Sequence, residues 1–131
     1  MRSLLAVFAI ATLALFAACG DQGEGGEIEF TLTEFSITAD KDSVEEGPID
    51  FNITNDGGRE HEFLIVRTDI PGAELETRDD GSFDEDAPGV DVKQENEDIG
   101  AGERTSRSYT LDPGAYVFLC NIVEEVDGQQ V

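Results

Sequence analysis

The chain has 131 residues, with thirty acidic side chains against eight basic ones and a formal net charge of −22 at pH 7. That length allows one small domain, and that charge repels nucleic acid and anionic lipid, which excludes both as partners. A cation or a basic protein is the kind of partner such a surface favours, although acidity by itself also serves solubility in a salty environment and shows no function.

Met1-Arg2-Ser3 carries one positive charge, and Leu4 to Ala18 is apolar apart from Thr12. A run of fifteen residues suits a signal-peptide core and is short for a membrane span. It closes on Leu15-Phe16-Ala17-Ala18-Cys19-Gly20, which resembles a bacterial lipoprotein signal, with Phe16 where an aliphatic residue is usual. An ordinary secretory signal that happens to contain Cys19 is the alternative. The polar stretch Gly20 to Glu27 that follows reads as a flexible tether. Residues 1–18 are therefore expected to be a signal peptide, 19–26 a tether lipidated at Cys19, and 27–131 the folded domain. Attachment is expected through the lipid alone, with the domain outside the cytoplasm. Cleavage removes Arg2 and no acidic residue, so the mature domain is one unit more negative. It also leaves Cys120 as the one thiol not tied to lipid. A lone thiol in an exported protein is inert, reactive, paired with another chain, or bound to a metal.

From Glu27 onward the apolar period is mostly two, which predicts an all-β domain. Ile28, Phe30 and Leu32 share one face. The parity then switches to Phe35 and Ile37, which predicts a bulge or bend near Thr33-Glu34, in a strand able to serve two packed sheets. Asp40 to Gly47 reads as a polar turn. Ile49, Phe51 and Ile53 alternate with polar neighbours in a half-buried strand, followed by the turn Asn55-Asp56-Gly57-Gly58. Phe63-Leu64-Ile65-Val66 is apolar on both parities, as in a central, well-covered strand. Residues 69–98 break the pattern and read as an exposed acidic excursion with a short helical turn around Ala73 to Arg78. Its acidic run lacks the regular spacing of an EF-hand, so a solvated loop is expected rather than a calcium site.

Regularity returns after Gly100-Ala101-Gly102. Glu103 to Leu111 reads as a polar edge strand, and Leu111-Asp112-Pro113-Gly114 as a turn. In the next strand Tyr116, Phe118 and Cys120 share one face, with Val117 and Leu119 on the other. After Ile122 the chain shows no closing alternation, which would leave a neighbouring edge unpaired.

The stretch Asn55 to His61-Glu62-Phe63, the turn Gly100-Ala101-Gly102-Glu103, and the run Pro113-Gly114-Ala115-Tyr116-Val117-Phe118-Leu119-Cys120-Asn121 together resemble the cupredoxin family of small exported copper proteins. The likeness covers roughly Glu27 to Ile122, with 69–98 as an insertion. It implies a Greek-key cupredoxin-like β-sandwich with one mononuclear copper site at one end, where His61 supplies an imidazole and Cys120 the thiolate. One thiolate and two imidazoles form a trigonal centre that suits both oxidation states of copper, so an electron moves with little rearrangement. The resemblance further implies that Asn55 and Asn121 brace the surrounding loops. Tyr116, two positions past Pro-Gly at a β-corner, is expected to bond backbone through its hydroxyl.

The family pattern also expects a second histidine shortly after the cysteine and commonly a methionine. This sequence has one histidine, and its one methionine is Met1. Two explanations compete: a chain cut within its ligand loop, with the missing donors and a last strand beyond Val131, or a complete chain that has lost the site. The first is favoured, since strand and ligands are missing together. Glu125 as a substitute oxygen donor is disfavoured, because a hard carboxylate suits a thiolate–copper centre poorly. The expected function is one-electron transfer or copper carriage, with a basic redox protein as partner. The alternative is a metal-free sandwich acting as an accessory or interaction module. An enzyme is not expected. No helix N-terminus is predicted to activate Cys120 as a nucleophile, and neither a phosphate loop nor zinc spacing is present.

Overall fold

The computed structural model describes residues 24–123, 125–126 and 129–130. The signal segment, Cys19 and the tether up to residue 23 lie outside the described residues, as does the side chain of Glu125. Among the described residues no helix is long and apolar enough to cross a membrane.

The fold is an all-β sandwich. One sheet has the order β2-β1-β3-β6, from β1 (Gly26–Thr33), β2 (Ser36–Ala39), β3 (Gly47–Asn55) and β6 (Arg104–Leu111). The facing sheet has the order β5-β4-β7, from β4 (His61–Arg67), β5 (Asp91–Ile99) and β7 (Tyr116–Leu119). β1 and β3 run parallel; the other neighbours are antiparallel. A two-residue pair, β8 (Glu125–Val126) with β9 (Gln129–Gln130), follows.

The alternation seen in the sequence places the core. Ile28, Phe30 and Leu32 of β1 and Ile49, Phe51 and Ile53 of β3 are buried, and they face Phe63, Ile65 and Ile99 across the sandwich. Aromatic rings tie the layers together. Phe30 stacks on Phe51 at 5.9 Å within its own sheet and meets Phe63 edge-on at 4.8 Å across the gap. Phe118 lies 4.7 Å from Phe30 and stacks on Phe63 at 5.5 Å. Each buried ring contributes about 1.5–3 kcal/mol by removal from water, and each well-oriented pair about 0.5–1.5 kcal/mol more. The expected polar edge strand is β6, which pairs with β3 alone in the sheet order. The Tyr116 hydroxyl donates to the Asp112 carbonyl at 2.6 Å, closing the β-corner as its position implies.

Two expectations need correction. The parity switch after Leu32 is not a bulge: Glu34 and Phe35 form a tight turn, and β2 folds back on β1 with Thr33 opposite Ser36. A two-residue reversal changes parity just as a one-residue slip does, so the pattern alone could not separate them. Both strands therefore serve one sheet, and Phe35 at the turn is 89% exposed.

The stretch 69–98 is also not a solvated excursion throughout. Its last part is β5, whose polar residues face outward from a sheet edge and hide the strand period. Its first part forms a 3-10 turn at Gly72–Glu74, close to the helical turn expected, and a bridge between Thr77 and Phe83. Phe83, only 6% exposed, forms a cluster with Leu64 and Val66, against which Leu75, Val90, Val92 and Leu119 pack. This third layer is why both faces of Phe63-Leu64-Ile65-Val66 are buried. Phe63→Ala is expected to lower stability by about 3–5 kcal/mol, and Phe35→Ala by less than about 0.5 kcal/mol, measured by urea unfolding followed by circular dichroism.

Candidate metal centre

β4 begins at His61, and β7 ends one residue before Cys120. The antiparallel register sets Leu64 opposite Leu119, so the entry of one strand lies beside the exit of the other. This brings together two side chains 59 positions apart: His61 Nδ1 lies 3.8 Å from Cys120 Sγ. The register between β4 and β5 shifts between His61 and Phe63, which sets the histidine slightly off the regular ladder. The backbone N–H of Glu62 donates to Cys120 Sγ at 3.4 Å. Cys120 is half-buried and, among the described residues, a free thiol.

His61 is only 8% exposed, and its Nε2 is buried without a hydrogen-bond partner among the described residues. On that side the ring abuts Gly57. A Cβ at Gly57 would come within 3.1 Å of Nε2 and of Asn55 Oδ1, and within 2.8 Å of Glu34 Oε1, so the loop passes the imidazole closely only because it has no side chain there. Glu34 Oε1 accepts the Gly58 N–H. Backbone N–H groups, first its own and then that of Gly58, hold the Glu34 carboxyl below the ordinary carboxylate value, with a smaller contribution from His61.

Asn55 is fully buried. Its Nδ2 donates to the carbonyls of Arg59 at 2.7 Å and Ile99 at 2.9 Å, and its Oδ1 accepts the Gly57 N–H at 2.9 Å. The Asn55 carbonyl also accepts the Gly102 N–H. One side chain thus ties the loop before His61 to the end of β5. Asn121 braces a different segment: its Oδ1 accepts the Phe83 N–H at 2.6 Å, and its Nδ2 donates to Glu85 Oε1 at 2.8 Å.

A cleft of about 590 Å³ opens over the pair, lined by Phe35, Ile37, Arg59, His61, Phe118 and Cys120 among others. A larger cavity of about 980 Å³ lies at the other end of the sandwich, between the Asp40–Glu46 loop and the Asp112–Ala115 turn. Its lining includes neither the histidine nor a cysteine, so the smaller cleft is the one with chemistry in it.

One feature escaped the sequence reading. Glu62, Glu95 and Glu97 each place a carboxylate oxygen within 4.8 Å of the others. The parity of β4 puts Glu62 opposite to His61, but β5 was hidden in the apparent loop, so its partners could not be seen. Burial first, then repulsion from Glu95, Glu85 and Glu97, pushes the Glu62 carboxyl up; burial and then Glu85 do the same to Glu95.

Fold and geometry together define the class: an all-β sandwich with an imidazole and a thiol adjoining at one pole. No protein-family model matches the chain, and neither does any curated protein sequence.

Two outcomes follow. Asn55→Ala orphans two carbonyls and one N–H, and is expected to cost about 2–3 kcal/mol in urea unfolding. The raised carboxyls bind protons more tightly in the folded chain than in the unfolded one. Their contribution to stability is therefore present at low pH and is lost as pH rises through the folded values. Glu62→Gln should raise the urea midpoint at about pH 7 and lose most of that advantage at about pH 4.

Proposed function

We propose that this chain is a cupredoxin-like copper protein of the extracytoplasmic face, tethered through Cys19, that carries copper or passes single electrons through it. The approach of His61 Nδ1 to Cys120 Sγ, at 3.8 Å, carries the reading. That distance is longer than a hydrogen bond needs. Two donors sharing one ion, with bonds of about 2.0 Å to nitrogen and 2.3 Å to sulfur meeting at a trigonal angle of about 120°, lie about 3.7 Å apart. The residues present fit such an ion as far as they go. A soft thiolate and an imidazole are the donors copper selects, and the Glu62 N–H directed at the sulfur fixes its position. When bound, copper would supply a one-electron couple. The chain's part is to hold sulfur and nitrogen at fixed separation, so that little moves when the charge changes.

The second imidazole and the thioether of a full centre have no counterpart among residues 24–123. Two donors alone therefore bind copper weakly. Exposed Phe35 beside the cleft, within a strongly acidic surface, supports a basic protein as the electron-transfer partner.

Free imidazole can stand in for the absent ligand. Cu(II) added to the purified chain should give little colour alone, and an intense absorption at about 600 nm once imidazole is supplied, as a thiolate–copper bond requires. Cys120→Ser should abolish the band, and His61→Ala should abolish or strongly shift it. A chain that stays colourless under both conditions overturns the copper reading and leaves a metal-free interaction module.

A further inference from the structure

We propose that the segment 69–90 is a clamp that fixes Cys120, with Asn121 as the positioning residue through which it acts. The metal part of this inference rests on the copper reading; the positioning of the thiol does not.

Beyond Leu119 the β7 ladder stops, and Cys120 sits one residue past its last partnered position. What holds it there comes from the supposed insertion. Asn121 pairs with the backbone of Phe83 much as a neighbouring strand would, accepting its N–H at 2.6 Å and donating to its carbonyl at 3.3 Å. The same amide donates to Glu85 Oε1 at 2.8 Å. On the other side of the thiol, Leu119 packs in the cluster that Phe83 forms with Leu64 and Val66. The residues before and after Cys120 are therefore both held: Leu119 by packing against the cluster to which Phe83 belongs, and Asn121 by the Phe83 backbone.

Phe83 can do this because its own loop is closed. Arg78 N–H bonds the Ser82 carbonyl, Asp84 N–H bonds the Glu76 carbonyl, and Gly81 takes the positive φ of 85° that the turn requires. The segment's far end is tied back where Thr68 Oγ1 donates to the Gly89 carbonyl at 2.8 Å. A sulfur held from both flanks, with the Glu62 N–H aimed at it, keeps one orientation relative to His61. Fixed donors with supporting hydrogen bonds are what a metal site of low rearrangement needs.

The test uses the full chain carrying Cys19→Ser, so that Cys120 is the single thiol. Alkylation by iodoacetamide, without metal, reads how firmly the thiol is held. Asn121→Ala should raise the rate about tenfold, as local opening of the strand end becomes easy. Asn121→Asp keeps the acceptor for Phe83 N–H but loses the donor, and should give an intermediate rise if Asn121→Ala fails to fold. Glu85→Gln leaves both Phe83 bonds in place and should stay within about twofold. With Cu(II) and imidazole, Asn121→Ala should shift or broaden the band near about 600 nm, while Glu85→Gln leaves it unchanged. Wild-type alkylation rates in both Asn121 variants overturn the clamp. A rise in alkylation with no band in any protein keeps the clamp and sinks the copper reading instead.

Discussion

The pairing of β4 with β7, stapled underneath by the Phe63–Phe118 stack, is the constraint on which the molecule turns. The hydrogen-bonded ladder sets Leu64 opposite Leu119, and the rings lock that register from the core side. A one-residue slip would send Phe118 to the outer face and Leu119 inward, dismantling both apolar layers at once. Because the register is so strongly specified, the meeting of an imidazole and a thiol at the strand ends follows from core packing. Core packing brings the two strand ends together; the hydrogen bonds beyond the ladder then hold the side chains in place.

Those hydrogen bonds are made to backbone by amide side chains. Asn55 ties the loop before His61 and Asn121 the chain after Cys120, and each replaces a missing stretch of ladder. An asparagine side chain offers a donor and an acceptor in one plane, as a peptide does, so it can continue a sheet where the chain has left it. Buried and satisfied, such groups specify geometry more than they add net stability.

Much of this was legible beforehand. The period of two in β1 and β3 identified six core residues, and the doubly apolar Phe63 to Val66 identified the central strand before any layer was known to cover it. Parity also put Phe118 and Leu119 on opposite faces. The failures have a common physical origin: alternation reports which face is buried and is silent when neither face is. β5 presents Gln94, Glu95 and Glu97 to water and so reads as a loop, although its backbone pairs along β4. The same blindness hid the carboxylates that gather around Glu62. The short turn at Glu34-Phe35 failed differently, since a reversal and a slip leave the same trace in a one-dimensional pattern. The role of Phe83 was invisible because a single aromatic in an acidic stretch has no periodicity to betray its burial.

The crowding of Glu62, Glu85, Glu95 and Glu97 on the outer side of β4 and β5 makes ionic strength a variable of folding. Mobile cations gather around like charges and shorten the reach of their repulsion, to about 8 Å in physiological salt and about 3 Å at 1 M. Repulsion across the sheet that carries the histidine should therefore weigh most in dilute buffer and fade in brine.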